Sequence, residues 1–348
     1  MAVTVGLLTD PGLPERVTRE LVDELPAALR EHVSDDVDWQ VALRCRPLVI
    51  DEEGTIPIAE LAERELPRHG WDLMVCVTDL PRHVAGKPVI ADVSTKHGVA
   101  LASLPAVGGV RLRAHLRDTL LQLTAELSEQ GPRCTKKLVT PTRRVENPAE
   151  GIDASLALPG LRGRLRLLFG MVRDNRPWRL VPSLSRALAA AAATAAFGVF
   201  YNSIWTMADA LSPPRLAVVN LFAVGAMVVW LTAYNHLWEH ARGRGTRNQV
   251  VLYNTASITT LTLGVACMYA LLFALTVVAA LAVISGGYLA RMLGHEVGIT
   301  DYLTLAWLAA SMGTVAGALG SSLESEDAVR HATYSKRERE RRARNEDG

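Results

Sequence analysis

Apolar and polar residues follow two different rhythms along this chain, and the change of rhythm divides it. The run VTVGLLT (3–9) is short, apolar and rich in β-formers, and after it Val17, Leu21, Leu25 and Leu29 recur at helical spacing. This predicts a strand and then a helix, with Pro14 near the first turn, where its missing N–H costs nothing. In VDWQVALRC, Val37, Trp39, Val41, Leu43 and Cys45 share one face, while Asp38, Gln40 and Arg44 share the other, as in a strand with one wet side. IPIAELAEREL predicts a short helix, DLMVCVTD a central strand apolar on both faces, and KPVIADVS and GVALAS two further strands. A helix over VRLRAHLRDTLLQLTAEL, with Leu112, Leu116, Leu120 and Leu123 on one stripe, closes the region. The order β-α-β-α-β-β-β-α predicts a soluble α/β domain over residues 1–130, with a mixed, partly parallel sheet.

Polar residues punctuated by Pro132, Pro141, Pro148 and Gly151 then predict a linker over residues 131–158. In residues 159–182, Arg162, Arg164, Arg166, Arg173, Arg176 and Arg179 are interleaved with leucines, Phe169 and Trp178. A basic amphipathic segment of this kind, just ahead of an apolar stretch, is expected in an anionic headgroup layer. Residues 183–323 predict an α-helical transmembrane bundle of four spans, near 187–207, 215–236, 256–285 and 302–323. Residues 250–290 are apolar for ~60 Å of helix against a hydrocarbon core of ~30 Å. With no glycine, proline or charge between Gly264 and Gly286 to make a hairpin, one long tilted helix is expected there. Gly313, Gly317 and Gly320 form a small-residue face suited to helix packing.

The formal net charge of +1 therefore conceals a soluble half and a membrane half. The loop with Arg242, Arg244 and Arg247 and the basic tail at 324–348 both belong inside by the positive-inside rule. The chain opens with MAVTVGLLTD, which lacks the basic and apolar regions of a secretory leader. A multi-pass protein of the cell membrane with both termini cytoplasmic satisfies all three constraints. The four cysteines, Cys45, Cys76, Cys134 and Cys267, are widely spread without a C-x-x-C pair, so reduced thiols are expected rather than a zinc site or a disulfide frame.

Candidate chemistry falls at strand ends. Thr9 and Asp10 close the first strand, and Thr78 and Asp79 the strand of DLMVCVTD. Ligands of open α/β sheets bind beyond the carboxyl ends of strands, so these pairs form a ligand site if they converge, and turn or cap chemistry if they do not. Asp92 and Ser94, followed by Thr95, Lys96 and His97, are expected near a third such end. Gly108 and Gly109, with Arg111 and Arg113 in the first turn of the next helix, are a candidate phosphate or carboxylate site. His115 stands alone, and no G-x-S-x-G, Walker lysine or G-x-G-x-x-G is present, so no motif names a reaction or a cofactor.

The segments VGLLTDPGLP, WDLMVCVTDLP, SLPAVGG and AWLAASMGTVAGALGSSLE, with the basic pre-span segment, resemble a group of actinobacterial integral membrane proteins of unassigned function. The resemblance covers essentially the whole chain, and such chains are sometimes labelled 5,10-methylenetetrahydrofolate dehydrogenase. The folate enzymes carry their catalytic lysine in Y-x-x-x-K, whereas the first tyrosine here is Tyr201, in the membrane half.

The expected function is a non-enzymatic membrane protein whose cytoplasmic α/β domain binds a small ligand or a protein partner. A four-helix, homo-oligomeric bundle would anchor it in an anionic bilayer, with nucleic acid not among its partners. The alternatives are a membrane-anchored enzyme, with Asp10 and Asp79 as paired acids or ligands of a hard cation such as Mg²⁺, and a transporter with a polar path through Asn202 and Asn220. The spans hold no mid-membrane carboxylate, lysine or arginine to mark an ion pathway.

Overall fold

A computed structural model describes residues 2–49, 56–84, 87–128, 143–145, 151–238 and 247–323. The expected basic tail, the arginine loop before residue 247 and most of the expected linker lie outside these residues. The described chain forms two compact units: the first holds the described residues to Asp174 together with 247–252, and the second holds 175–238 and the described residues from Tyr253 on.

The first unit is an α/β sandwich. Its strands are β1 (Ala2–Thr9), β2 (Asp38–Cys45), β3 (Leu73–Thr78), β4 (Arg82–Val84), β5 (Lys87–Ser94), β6 (Val99–Ser103), β7 (Arg143–Val145) and β8 (Ala154–Ala157). Its helices are α1 (Leu13–Arg19), α2 (Leu25–His32), α3 (Ile58–His69), α4 (Leu104–Val107), α5 (Leu112–Leu127) and α6 (Gly160–Asn175). The sheet order is β2-β1-β3-β6-β5-β8-β7, with β4 also on β5. The pairs β1–β2, β1–β3 and β3–β6 are parallel, while β4–β5, β5–β6, β5–β8 and β7–β8 are antiparallel. The sheet is thus mixed and partly parallel. Every residue of β3 and β6 is buried, as strands covered by helices on both faces must be. On one face Leu8, Ile58, Leu61, Trp71, Met74, Cys76 and Leu101 form a continuous core.

The stretch expected as a linker supplies two strands. β8 pairs with β5 from Val89↔Ala157 to Val93↔Ala154, and β7 adds to β8. The helix after them, α6, packs on the same unit through glycine. A Cβ at Gly170 would lie 2.0 Å from the Pro105 carbonyl oxygen, and one at Gly163 would lie 2.6 Å from the Leu158 Cβ. Only backbone with no side chain fits such an approach.

The second unit is helical, with α7 (Leu180–Ser183), α8 (Ser185–Phe200), α9 (Asn202–Ala210), α10 (Pro213–Tyr234), α11 (Arg247–Val283) from Tyr253 on, α12 (Gly286–Leu293) and α13 (Ile299–Gly320). Three helices, α10, α11 and α13, are long and apolar enough to cross a membrane, and α8 with α9 makes a fourth if that bent pair is one span. The first expected span is therefore broken, with an 86° bend between α8 and α9. Tyr201 is extended at the break (φ −102°, ψ 116°), and the Trp205 indole N–H, in α9, donates to the carbonyls of Gly198 and Val199 at 3.2 Å each. The indole thereby serves carbonyls that the end of α8 would otherwise leave without a donor. The region 250–290 holds one continuous helix to Val283, followed by the short α12.

Alanine and glycine let α8 and α13 touch. A Cβ at Gly313 would lie 2.5 Å from the Ala191 carbonyl oxygen, one at Gly317 3.0 Å from that of Ala187, and one at Gly320 2.6 Å from the Ala190 Cβ. Close approach of backbones through small residues is the packing mode of helices that have no hydrophobic effect between them. Leu180, Leu184, Met227, Leu231, Leu261, Val265 and Met268 fill one end of the unit, and Val199, Trp205, Ile284, Tyr302, Leu305 and Leu308 the other.

Candidate functional site

Because β1 and β3 are parallel neighbours, Thr9–Asp10 and Thr78–Asp79 end at the same edge of the sheet. Asp10 is fully buried, and its carboxylate is already engaged: Thr78 Oγ1 donates to Oδ2 at 2.7 Å and the Leu48 N–H donates to Oδ1 at 2.9 Å. The network continues as the Leu80 N–H donates to Thr78 Oγ1 at 3.1 Å and Ser103 Oγ donates to the Leu80 carbonyl at 2.7 Å. Thr9 Oγ1 donates to the Arg44 carbonyl at 3.4 Å. The side chains of Asp10 and Thr78 therefore brace the exits of β1, β2, β3 and β6 against one another. Asp79 is also buried at this edge.

Ser94 does not join them. Thr95–Gly98 is a turn of four residues, short enough only for a hairpin, so β5 runs antiparallel to β6 and Ser94 pairs with Val99, the first residue of β6. That puts Ser94, Thr95, Lys96 and His97 at the opposite edge, which corrects the expectation of a third converging strand end. The turn is held from outside its own strands. Asp153 accepts from the Thr95 N–H and Oγ1 at 2.6 Å each and from the Lys96 N–H at 3.3 Å. Those bonds, the Thr95 hydroxyl first, hold the Asp153 carboxyl below its ordinary value. Ser94 Oγ meets His97 Nδ1 at 2.9 Å.

Two further carboxylates are buried with cations that sequence reasoning did not pair with them. Asp92 in β5 takes the Arg82 guanidinium of β4 through Nε at 3.0 Å and Nη2 at 2.9 Å, and also accepts from Ser155 Oγ of β8. Three strands are thus tied by one side chain. Glu65 in α3 contacts Arg46 at 2.7 Å, Arg64 at 3.1 Å and His69 at 3.3 Å. Burial by itself raises the Glu65 carboxyl; the hydrogen bond from Arg64 and the charges of Arg46, Arg64 and Arg68 outweigh it and leave the group below its ordinary value. A carboxylate depressed on folding stabilises the native state above its unfolded pKa of about 4.3 and loses that contribution as pH falls through the lower folded value. Glu65→Gln is accordingly expected to lose stability at neutral pH, where the ionised carboxylate is paired, and to flatten the acid side of the stability curve below about pH 5. Urea midpoints measured from pH 3 to 8 on the full chain check this, and parallel acid limbs for the two proteins would refute it.

The Gly108–Arg111 segment carries the strongest ligand-like geometry. Gly108 has φ 111° and Arg111, a non-glycine residue, has φ 50° in the left-handed region as it enters α5. Such a conformation costs an ordinary residue on the order of 1 kcal/mol and persists only where surroundings enforce it. From α6, Arg166 Nε donates to the Val107 carbonyl at 2.9 Å and Arg173 Nη1 donates to the Gly109 carbonyl at 2.6 Å, so the turn before Arg111 is tied on both sides of Gly108. Arg111, Arg113, Arg117 and Arg173 then line one concavity of about 510 Å³, joined by Glu24, Leu112 and Ala114. Glu24 answers Arg113 at 2.9 Å. Asp118 answers Arg117 at 3.4 Å, so four guanidinium groups meet two carboxylates beside the N-terminus of a 16-residue helix, where backbone N–H groups also favour an anion. His115 lies nearby, its pKa pushed down first by burial and then by Arg166.

No family model, curated protein or solved structure matches this chain.

Of the arginines expected at a membrane surface, Arg166 and Arg173 thus point back into the α/β unit, while Arg162 and Arg164 are exposed. Arg173 and Arg117 also complete the concavity, a role that their separation of 56 positions concealed. Asn202 donates to the Tyr288 hydroxyl at 3.2 Å, and the Asn220 Oδ1 has no hydrogen-bond partner among the described residues.

Proposed function

We propose that this chain is a multi-pass protein of the cell membrane whose α/β domain is cytoplasmic and binds a small anionic ligand, phosphate- or carboxylate-bearing, at the start of α5. The observation that carries the reading is the convergence of Arg111, Arg113, Arg117 and Arg173 on one concavity beside a strained backbone turn. Both termini lie in the cytoplasm in this reading, supported by the basic loop and tail.

The bilayer contact proposed for α6 is supported by its two faces. Gly163, Leu167 and Gly170 are buried, and on the opposite side Leu161, Leu165 and Phe169 are exposed with Arg162 and Arg164 flanking them. An exposed apolar stripe edged with arginine suits an anionic headgroup layer. Val218, Leu221, Phe222 and Val229 form an outward apolar face on α10, open to lipid or to a second copy of the chain.

The test is thermal unfolding of the full chain in nanodiscs with inorganic phosphate, nucleotides and dicarboxylates. A ligand present at about 100 times its Kd adds about 2.7 kcal/mol of stability to the native state. The upward shift is expected to disappear in Arg117→Gln and in Arg111→Gly, the latter removing a charge while relieving the backbone strain. A shift retained in both variants would remove the site, and no shift with any anion would remove the ligand class.

A further inference from the structure

The helical unit carries a cluster that the ligand reading does not use. Asp209 is in the last turn of α9, His295 follows α12, and Asp301 is the third residue of α13. One imidazole nitrogen and one carboxylate oxygen from each aspartate all lie within 4.8 Å of one another, although 86 positions separate Asp209 from His295. His295 Nδ1 lies 2.9 Å from the Glu296 carbonyl oxygen. A carbonyl can only accept, so Nδ1 carries the hydrogen, and in the neutral ring Nε2 is the lone-pair nitrogen. That nitrogen faces Asp209 Oδ1 at 3.1 Å. A proton on Nε2 makes this contact an ion pair, and a metal ion in its place takes both groups as ligands. Asp301 brings a third ligand atom to the same point. Asp301 is itself held in place, accepting from the Gly298 N–H at 2.7 Å.

We infer that Asp209, His295 and Asp301 bind a divalent metal ion of the zinc class, joining the ends of α9, α12 and α13. The donor set fits that class: imidazole selects zinc-like ions over magnesium and calcium, and carboxylates complete the set for a borderline ion. The fixed Nδ1–H···O=C bond is the outer contact that orients a metal-binding histidine. Ligand atoms ~2.0–2.2 Å from an ion stand about 3–4 Å apart, so the present spread closes by small rotations of side chains that are partly exposed. Three protein ligands leave the remaining positions to water.

The test uses the full chain in detergent, stripped with a chelator and dialysed to equilibrium against Zn²⁺ alone. The wild-type chain is expected to hold one ion more than His295→Ala or Asp209→Asn at the same free concentration, with the site at least about tenfold weaker in each variant. Equal zinc binding by the wild type and both variants would overturn the inference. A second measurement needs no variant: carbethoxylation of the wild-type chain, mapped by mass spectrometry, with His32 as the internal reference. Zn²⁺ but not Mg²⁺ is expected to slow modification at His295 and leave His32 unchanged, and equal reactivity of His295 with and without Zn²⁺ would overturn the inference.

Discussion

Asp10→Ala lowers the unfolding free energy of the α/β unit by an expected 3–5 kcal/mol, roughly the cost of deleting a buried carboxylate and stranding its charge-assisted partners. The Thr78 hydroxyl and the Leu48 N–H both donate to this side chain, and alanine offers neither of them an acceptor. Asp10→Asn keeps one acceptor oxygen in the same outline, so about half of that loss is expected. Pulse proteolysis of the full chain in urea, read at cleavage within the α/β unit, measures both. An unchanged or raised midpoint for Asp10→Ala would restore the residue as a candidate ligand group, because groups held for function are commonly held at a cost in stability. The two readings of the strand-end aspartate thus predict opposite signs.

Gly170→Ala offers a second contest of sign. Helix propensity alone favours alanine over an interior glycine by about 1 kcal/mol, so an undocked α6 would gain from the change. In the folded unit the new Cβ would meet the Pro105 carbonyl oxygen at 2.0 Å, and backbone cannot rotate away as a side chain can. The expected result is a loss of about 1–3 kcal/mol, with Gly170→Leu displacing α6 and exposing the Gly108–Arg111 turn to protease. Gly225→Ala in α10 is the control, since nothing lies within 4 Å of its added carbon, and it is expected to be neutral or mildly stabilising. Thermal midpoints of the three variants decide; a stabilised Gly170→Ala would mean that α6 does not pack on the α/β unit.

Much of the architecture was legible because it is written in local rhythm. The apolar run of β3, the leucine stripe of α5 and the glycine-free stretch of α11 each fix an element through neighbours a few residues apart. β8 was missed because its four residues, Ala154–Ala157, are too few to show a period, and its partner β5 lies some sixty positions earlier. The direction of β5 was readable from the four-residue turn to β6, which permits a hairpin and forbids a crossover. The break at Tyr201 had a faint signal in the polar Asn202 that comes after it, within a run otherwise apolar enough to continue. The candidate sites divide the same way. Gly108, Gly109, Arg111 and Arg113 were visible as a loop entering a helix, whereas the approach of Arg173 depends on how α6 docks. Asp209, His295 and Asp301 belong to different helix ends, and no spacing along the chain announces them.

The 37 residues of α11 form a rod. At 1.5 Å each they reach about 55 Å, against a hydrocarbon layer of about 30 Å. Such a mismatch is relieved by leaning or by protruding, and its balance shifts with bilayer thickness. A rod of that length multiplies angles: a change in lean of about 10° carries one end sideways by roughly 10 Å relative to the other. Where this helix spans a bilayer, modest thinning or thickening of the lipid becomes a displacement as large as the diameter of a helix.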